Sequence, residues 1–243
     1  YLPLYDGINW LQIGVDSTAQ LIQPQVDSPR SMGKIIIYGT SIQQGGCASR
    51  TGMVPSAMIQ RDFNLECVNL ATSGQARMDF YIAEAMASIE DAICYVIDPV
   101  PNCTKDRCDT ATYDFINILR TLRPEVPIVM VEGLMYPYTR HDSYHAEYLP
   151  QKNECFRRGF DQHVAENPKG MYYMTHEGQT GPDMEGTVDG VHLTDYGFRA
   201  YADLLEIVVK EALDDTDVDY DVEPAYNVVR KKTFWQRLMD LFQ

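Results

Sequence analysis

The sequence predicts an α/β fold, a five-stranded parallel sheet with helices on both faces. Two observations predict it. Short, nearly continuous apolar runs stand at 35–38, 67–70, 93–97, 127–131 and 171–174, as strands covered on both faces read. Stretches with apolar residues at three- and four-residue spacing separate them, and such alternation builds a parallel sheet. The length of 243 residues suits one domain with a small appendage.

The elements follow in order. Residues 1–30 read as a β-rich, irregular segment, with Leu2, Leu4, Ile8, Leu11 and Ile13 scattered among turn residues. Pro24, Pro29 and Ser31 make a breaker cluster at its end. The main domain then spans 31–213. Ile35-Ile36-Ile37-Tyr38 is its first strand, 52–62 a helix and Cys67-Val68-Asn69-Leu70 the second strand. A helix over 78–91 carries Phe80, Ile82, Ala83, Met86 and Ile89, and 93–97 is the third strand. A helix over 110–122 places Phe115, Ile118, Leu119 and Leu122 on one face. The fourth strand is 127–131, followed by a helix near 146–166 and a short strand at 171–174. Thr194 caps the last core helix and Asp195 adds negative charge at its positive end. Phe198, Tyr201, Ala202, Leu205, Val208, Val209 and Ala212 line its buried stripe. Residues 214–223 form an acidic linker. The tail beyond it mixes Lys231, Lys232 and Arg237 with Phe234, Trp235, Leu238, Leu241 and Phe242. It reads as a short amphipathic helix that docks on this protein or on a second subunit, hence an expected homo-oligomer contact.

Composition narrows the partners. A net charge of −15 repels phosphate backbones and anionic headgroups, so neither nucleic acid nor a membrane surface is expected. No run of 18 apolar residues suits a membrane-spanning helix. The six cysteines, Cys47, Cys67, Cys94, Cys103, Cys108 and Cys155, include no Cys-x-x-Cys pair. Cys67 and Cys94 read as buried thiols. Cys103 and Cys108 are close enough in sequence for a loop disulfide, which spacing does not decide. The first residue is Tyr1 rather than Met, compatible with a removed signal peptide or with a shortened chain, and a periplasmic or secreted location is the expectation.

Four segments carry chemistry. Tyr38-Gly39-Thr40-Ser41-Ile42 follows the first strand and puts a serine in a strand-to-helix turn. A serine there either caps the helix or acts as a nucleophile, and a nucleophile needs a base to take its proton. The Gly-x-Ser-x-Gly elbow is absent, since Gln43 stands where its second glycine belongs. Asp189-Gly190-Val191-His192-Leu193 supplies the base: the Asp189 carboxylate can fix the His192 tautomer and leave the other ring nitrogen to accept the serine proton. The other four histidines show no such setting. His141 and His145 have metal-compatible helical spacing but lack a third ligand, so no metal site is expected. Asn69-Leu70-Ala71-Thr72-Ser73-Gly74 and Asp98-Pro99-Val100-Pro101-Asn102 follow strands two and three. The Gly74 N–H and the Asn102 side-chain amide can serve as oxyanion donors.

Together these blocks resemble those of the SGNH (GDSL-like) hydrolase superfamily, in order, from about Lys34 to Leu213. The stretch Asp-Gly-Val-His-Leu-Thr-Asp-x-Gly is the most specific. The resemblance implies a flavodoxin-like fold with Ser41 as nucleophile, His192 as base and Asp189 orienting it. Ser41, Gly74 and Asn102 would form the oxyanion hole, and no cofactor is needed. Thr40 departs from the family's aspartate, and the third block lacks the usual Gly-x-Asn-Asp form. The segment 39–50 is similar to a bacterial subgroup of esterases with an N-terminal β-sandwich, of which 1–30 would be the last strands or a reduced remnant. The implied activity is a serine esterase or deacetylase. The alternatives are a lysophospholipase or thioesterase on the same fold, or a non-catalytic carbohydrate-binding protein. Gln43, Gln44, Gly45, Gly46, Ser49, Thr72, Ser73 and Gln75 make the site loops polar, which points to a short acyl group, acetyl above all, on a neutral alcohol such as a sugar. Met53, Met135 and Tyr136 are the residues that could instead offer an apolar wall.

Overall fold

The computed structural model describes residues 1–23 and 32–216. Its sheet has five parallel strands: β1 (Lys34–Gly39), β2 (Glu66–Asn69), β3 (Ala92–Asp98), β4 (Ile128–Val131) and β5 (Met171–Met174). The strand order is β2-β1-β3-β4-β5. The direction in which successive strands are added thus reverses between β1 and β3, and in open sheets of this order ligands bind beyond the carboxyl ends at that switch point.

Strand periodicity assigns the two faces. Ile35 and Ile37 of β1, with Val129 and Val131 of β4, meet α2 (Pro55–Phe63) and α6 (Asp195–Asp214) through Met58, Ile59, Phe198, Tyr201, Leu205 and Val209. Ile36, Tyr38, Tyr95, Ile97 and Met130 point the other way. They pack on α3 (Phe80–Ala87), α4 (Lys105–Leu122) and α5 (Ser143–Glu166) through Met86, Phe115, Leu119 and Phe156. With both faces covered, the strands carry no solvent-facing polar alternation.

Helix starts differ from the sequence reading where polar first turns hid them. α4 begins at Lys105 because the Thr104 hydroxyl accepts from Arg107 N at 3.1 Å, and α5 begins at Ser143 because Asp142 accepts from His145 N at 3.1 Å. The helix expected over 52–62 is a 3₁₀ turn at Thr51–Met53 followed by α2, with Pro55 at its first position. α3 is shorter than the expected 78–91 and stops at Ala87. α6 starts behind Thr194 as expected, its hydroxyl accepting from Gly197 N at 3.1 Å.

The N-terminal segment is a correction. Its described part, 1–23, holds no strand. Trp10, Leu11, Ile13, Leu21 and Ile22 are solvent-exposed, and neither sheet edge, β2 or β5, pairs with it. Unpaired, such a segment has no ladder to satisfy its backbone and stays irregular. Leu4 O accepts from Gln44 Nε2 at 3.0 Å and Tyr1 OH from Arg61 Nη1 at 2.9 Å, so its first residues lie against the short helical turn after β1 and against α2. The acidic linker and C-terminal helix expected over 214–243 lie, beyond residue 216, outside the described residues. All six cysteines are free thiols, Cys103 and Cys108 included. Cys94 is buried and Cys67 half-buried; burial pushes the Cys94 thiol up to about 12.

Candidate active site

β1 delivers its chain to the switch point, where Thr40 ends the strand and caps α1 (Ser41–Gln44). The Thr40 hydroxyl accepts from Ile42 N at 3.4 Å. Thr40 therefore fills the structural duty of its position. Ser41 is the first helical residue, so its N–H has no partner within the helix, and the residue is 9% exposed.

His192 arrives from the opposite side on a closed loop. Thr187 bridges Leu193, Val188 N donates to His192 O at 2.8 Å, and Thr194 N donates to Gly186 O at 2.9 Å. Gly197, in the first turn of α6, lets this loop sit directly on the helix: a Cβ there would lie 2.0 Å from Gly186 O. Any side chain at position 197 would push the loop away.

The structure brings three of the sequence-identified residues into one hydrogen-bonded chain. Ser41 Oγ lies 2.9 Å from His192 Nε2, and His192 Nδ1 lies 2.7 Å from Asp189 Oδ2. Asp189 Oδ1 accepts from His192 N at 2.7 Å and Val191 N at 2.9 Å. The ring hydrogen bond, then these two N–H groups, hold the Asp189 carboxyl well below the usual carboxylate range. An ionised Asp189 accepts the Nδ1 proton, which leaves the Nε2 lone pair for the serine proton.

Two other histidines also carry a carboxylate on Nδ1, which corrects the sequence reading. His145 meets Asp142 at 2.6 Å, across the same three-residue spacing, and His176 meets Glu132 at 2.7 Å. Spacing therefore does not single out His192; the serine hydroxyl on its second nitrogen does. His141 follows a 3₁₀ turn (Pro137–Arg140) and lies outside α5, so it shares no helix with His145.

The two remaining site residues stand at the ends of β2 and β3. Gly74 has φ +72, a left-handed backbone that favours glycine, and open space around it. Its N–H has no backbone acceptor among the described residues. Gln44 Oε1 accepts from Ser73 N at 2.7 Å, tying this turn to α1. Asn102 closes a 3₁₀ turn after β3; among the described residues its buried Oδ1 has no partner and no side-chain hydrogen bond ties its amide to the scaffold. Asn102→Ala should lower kcat by roughly 10²–10³-fold while leaving the unfolding midpoint nearly unchanged. A near-normal kcat would remove Asn102 from the oxyanion site.

Residues 32–210 match the GDSL-like Lipase/Acylhydrolase family. The chain belongs to this family. Among solved structures, it is similar to a candidate GDSL-like lipase from Bacteroides ovatus, with 31% identity, a TM-score of 0.71, and coverage of 75% of this chain and 54% of that one. It shares its fold with a family two carbohydrate esterase from Clostridium thermocellum, solved with cellohexaose, at 15% identity, TM-score 0.56, 76% of this chain and 65% of that one. A third is a carbohydrate esterase family 2 enzyme with a carbohydrate-binding domain from Corynascus thermopiles, at 12% identity, TM-score 0.60, 79% and 69%. The chain thus spans 54% of the Bacteroides relative's length and 65% of the Clostridium one's. No curated protein matches.

Beneath the serine lies a network that sequence reasoning missed. Gln43, expected among the polar residues lining the site, is fully buried. Its Nε2 donates to Tyr201 OH at 2.7 Å and to Asp98 Oδ2 at 3.1 Å, and Tyr201 OH donates to the same Asp98 oxygen at 2.8 Å. The network joins α1, β3 and α6 below Ser41. An aspartate ending an otherwise apolar strand, Ile93-Cys94-Tyr95-Val96-Ile97, was the available signal. Half-buried Gln44 and exposed Ser49 are engaged by intramolecular hydrogen bonds, Gln44 Oε1 by Ser73 N at 2.7 Å and Ser49 N on Asp195 Oδ1 at 3.0 Å. Met53 and Met135 pack partly buried against the core, and Tyr136 is buried.

Burial pushes the Asp98 carboxyl up to about 7, against the Tyr201 and Gln43 hydrogen bonds, which lower it. A raised folded-state pKa means that the folded protein holds this proton longer than the unfolded chain, near 3.9. The stabilisation is complete below that unfolded value and is lost as pH rises towards about 7. Between about pH 5 and 7 the group should cost about 2 kcal/mol. Asp98→Asn, which cannot ionise, should remove this slope from urea-unfolding free energies. An identical slope in wild type and variant would contradict it.

Proposed function

We propose that the protein is a serine esterase or deacetylase acting on short-chain acyl esters, with O-acetyl groups on carbohydrate as the substrate class. The observation that carries the reading is the Ser41–His192–Asp189 chain, at 2.9 and 2.7 Å, set at the switch point of the sheet. Ser41 Oγ attacks the ester carbonyl carbon as His192 Nε2 takes its proton. The oxyanion meets Ser41 N–H, Gly74 N–H and the Asn102 amide. Collapse expels the alcohol, which receives the proton from His192. Water, deprotonated by the same nitrogen, then releases the acid from Ser41.

Carbohydrate is favoured by an aromatic surface beside the histidine loop. Tyr138 lies against Gly190, where a Cβ would be 3.2 Å from its Cδ1. Its ring meets His145 edge-on at 5.4 Å, Tyr144 meets the same imidazole at 5.1 Å, and Tyr144 stacks on Tyr148 at 5.4 Å. Tyr144 is exposed. Flat rings with a polar tip suit the apolar C–H face and hydroxyl rim of a sugar. The carbohydrate esterases that share the fold agree with this class. A periplasmic or secreted location, where acetylated polysaccharide is met, belongs to the same proposal.

Acyl length tests it. The kcat/KM on p-nitrophenyl acetate should exceed that on the octanoate by at least about 10-fold, since each added methylene gains about 0.8 kcal/mol only against an apolar wall. A preference for octanoate would favour the lysophospholipase or thioesterase alternative.

A further inference from the structure

We propose that Cys47, Asp189 and His192 form a Zn²⁺ site that silences the active site when filled. One ligand atom from each of the three lies within 4.8 Å of the other two. Among the described residues no other group of three His, Cys, Asp or Glu side chains is so placed. The loop after α1 sets the thiol there. Gly46 N donates to Ser41 O at 2.8 Å, and a Cβ on Gly46 would lie 3.0 Å from His192 Cδ2, so this loop runs against the imidazole. Cys47 follows in the left-handed region, at φ +70, uncommon for a residue other than glycine. Cys47 and Asp189 are exposed, so an ion reaches them from solvent.

The donor set selects the ion. A thiolate, an imidazole and a carboxylate with one water complete a tetrahedral zinc shell, whereas Mg²⁺ and Ca²⁺ require oxygen donors. Zinc bonds of about 2.0–2.3 Å put neighbouring ligand atoms roughly 3.4–3.6 Å apart. The cluster reaches that geometry by drawing in the thiol by no more than about 1.4 Å and opening the 2.7 Å Asp189–His192 contact. Binding releases the Cys47 thiol proton to solvent and transfers no electron. Either ring nitrogen of His192 then leaves the relay. Ligation through Nε2 occupies the lone pair that faces Ser41. Ligation through Nδ1 moves the ring proton to Nε2, which can no longer accept one.

The inhibitory half rests on the esterase reading; the binding half does not, and the test separates them. The full chain is titrated with Zn²⁺ by calorimetry and with Co²⁺ by absorption spectroscopy, and p-nitrophenyl acetate hydrolysis is followed with and without Zn²⁺ and a chelator. The expected result is one Zn²⁺ per chain, a thiolate-to-Co²⁺ charge-transfer band, and inhibition that the chelator reverses. Cys47→Ser should keep the metal-free rate, lose the band and bind Zn²⁺ at least about 10-fold more weakly. A band without any esterase activity would keep the metal site and fail the function. No Zn²⁺ binding, or Cys47→Ser bound and inhibited as wild type, would overturn the proposal.

Discussion

Replacing Ser41 with alanine should lower kcat by about 10⁴–10⁶-fold and leave folding intact, as loss of a nucleophile that acts as one unit with its base does. The structure gives the reason for both halves. Among the described residues the hydroxyl makes one side-chain hydrogen bond, to His192 Nε2 at 2.9 Å, and the helix start at Ser41 is capped by Thr40, so no cap is lost. Alanine leaves the Ser41 N–H in place, so a residue of oxyanion binding persists while the covalent step is gone. The check is the steady-state rate on p-nitrophenyl acetate beside a thermal melt. A variant with wild-type turnover would mean that water, or another group, is the nucleophile.

Asp189→Asn should cost about 10³–10⁴-fold in kcat at neutral pH, with KM little changed, because the amide favours the wrong imidazole tautomer. Asp189 acts by orientation more than by buried charge: its side chain is 50% exposed, so solvent screens it. Its carboxylate takes three hydrogen bonds, from His192 Nδ1, His192 N and Val191 N. The depressed carboxyl pKa contributes order to this loop above the ordinary aspartate range, and that contribution is lost as pH falls below it. Near-normal turnover in the variant would show that His192 is held well enough by its loop and that Asp189 is dispensable.

Much of this architecture was legible in the sequence because it follows two periods. Ile35, Ile36 and Ile37 read as a strand buried on both sides, and both cores receive them. Phe198 through Ala212 read as one helical stripe and bury as one. What escaped was decided by neighbours far along the chain. Gln43 reads as a ligand-facing loop residue, yet Tyr201, 158 positions away, and Asp98 draw it inward. Asp142-x-x-His145 and Asp189-x-x-His192 are alike in sequence, and only the fold puts Ser41 against the second. The apolar residues of 1–23 promised strands, but a strand needs an edge to pair with, and this segment takes neither. Pro150 lies within α5, a helix long enough to continue past one missing N–H donor.

If Ser41 is the activated nucleophile, it should react with an electrophile that mimics the acyl group. A fluorophosphonate probe reacts with a serine only where a base deprotonates it and an oxyanion hole receives the phosphonyl oxygen. The most direct measurement is therefore labelling of the full chain followed by peptide mass spectrometry. A single adduct is expected on the peptide carrying Ser41, absent from the His192→Ala variant. An unlabelled native protein, or an adduct on any other residue, would contradict it.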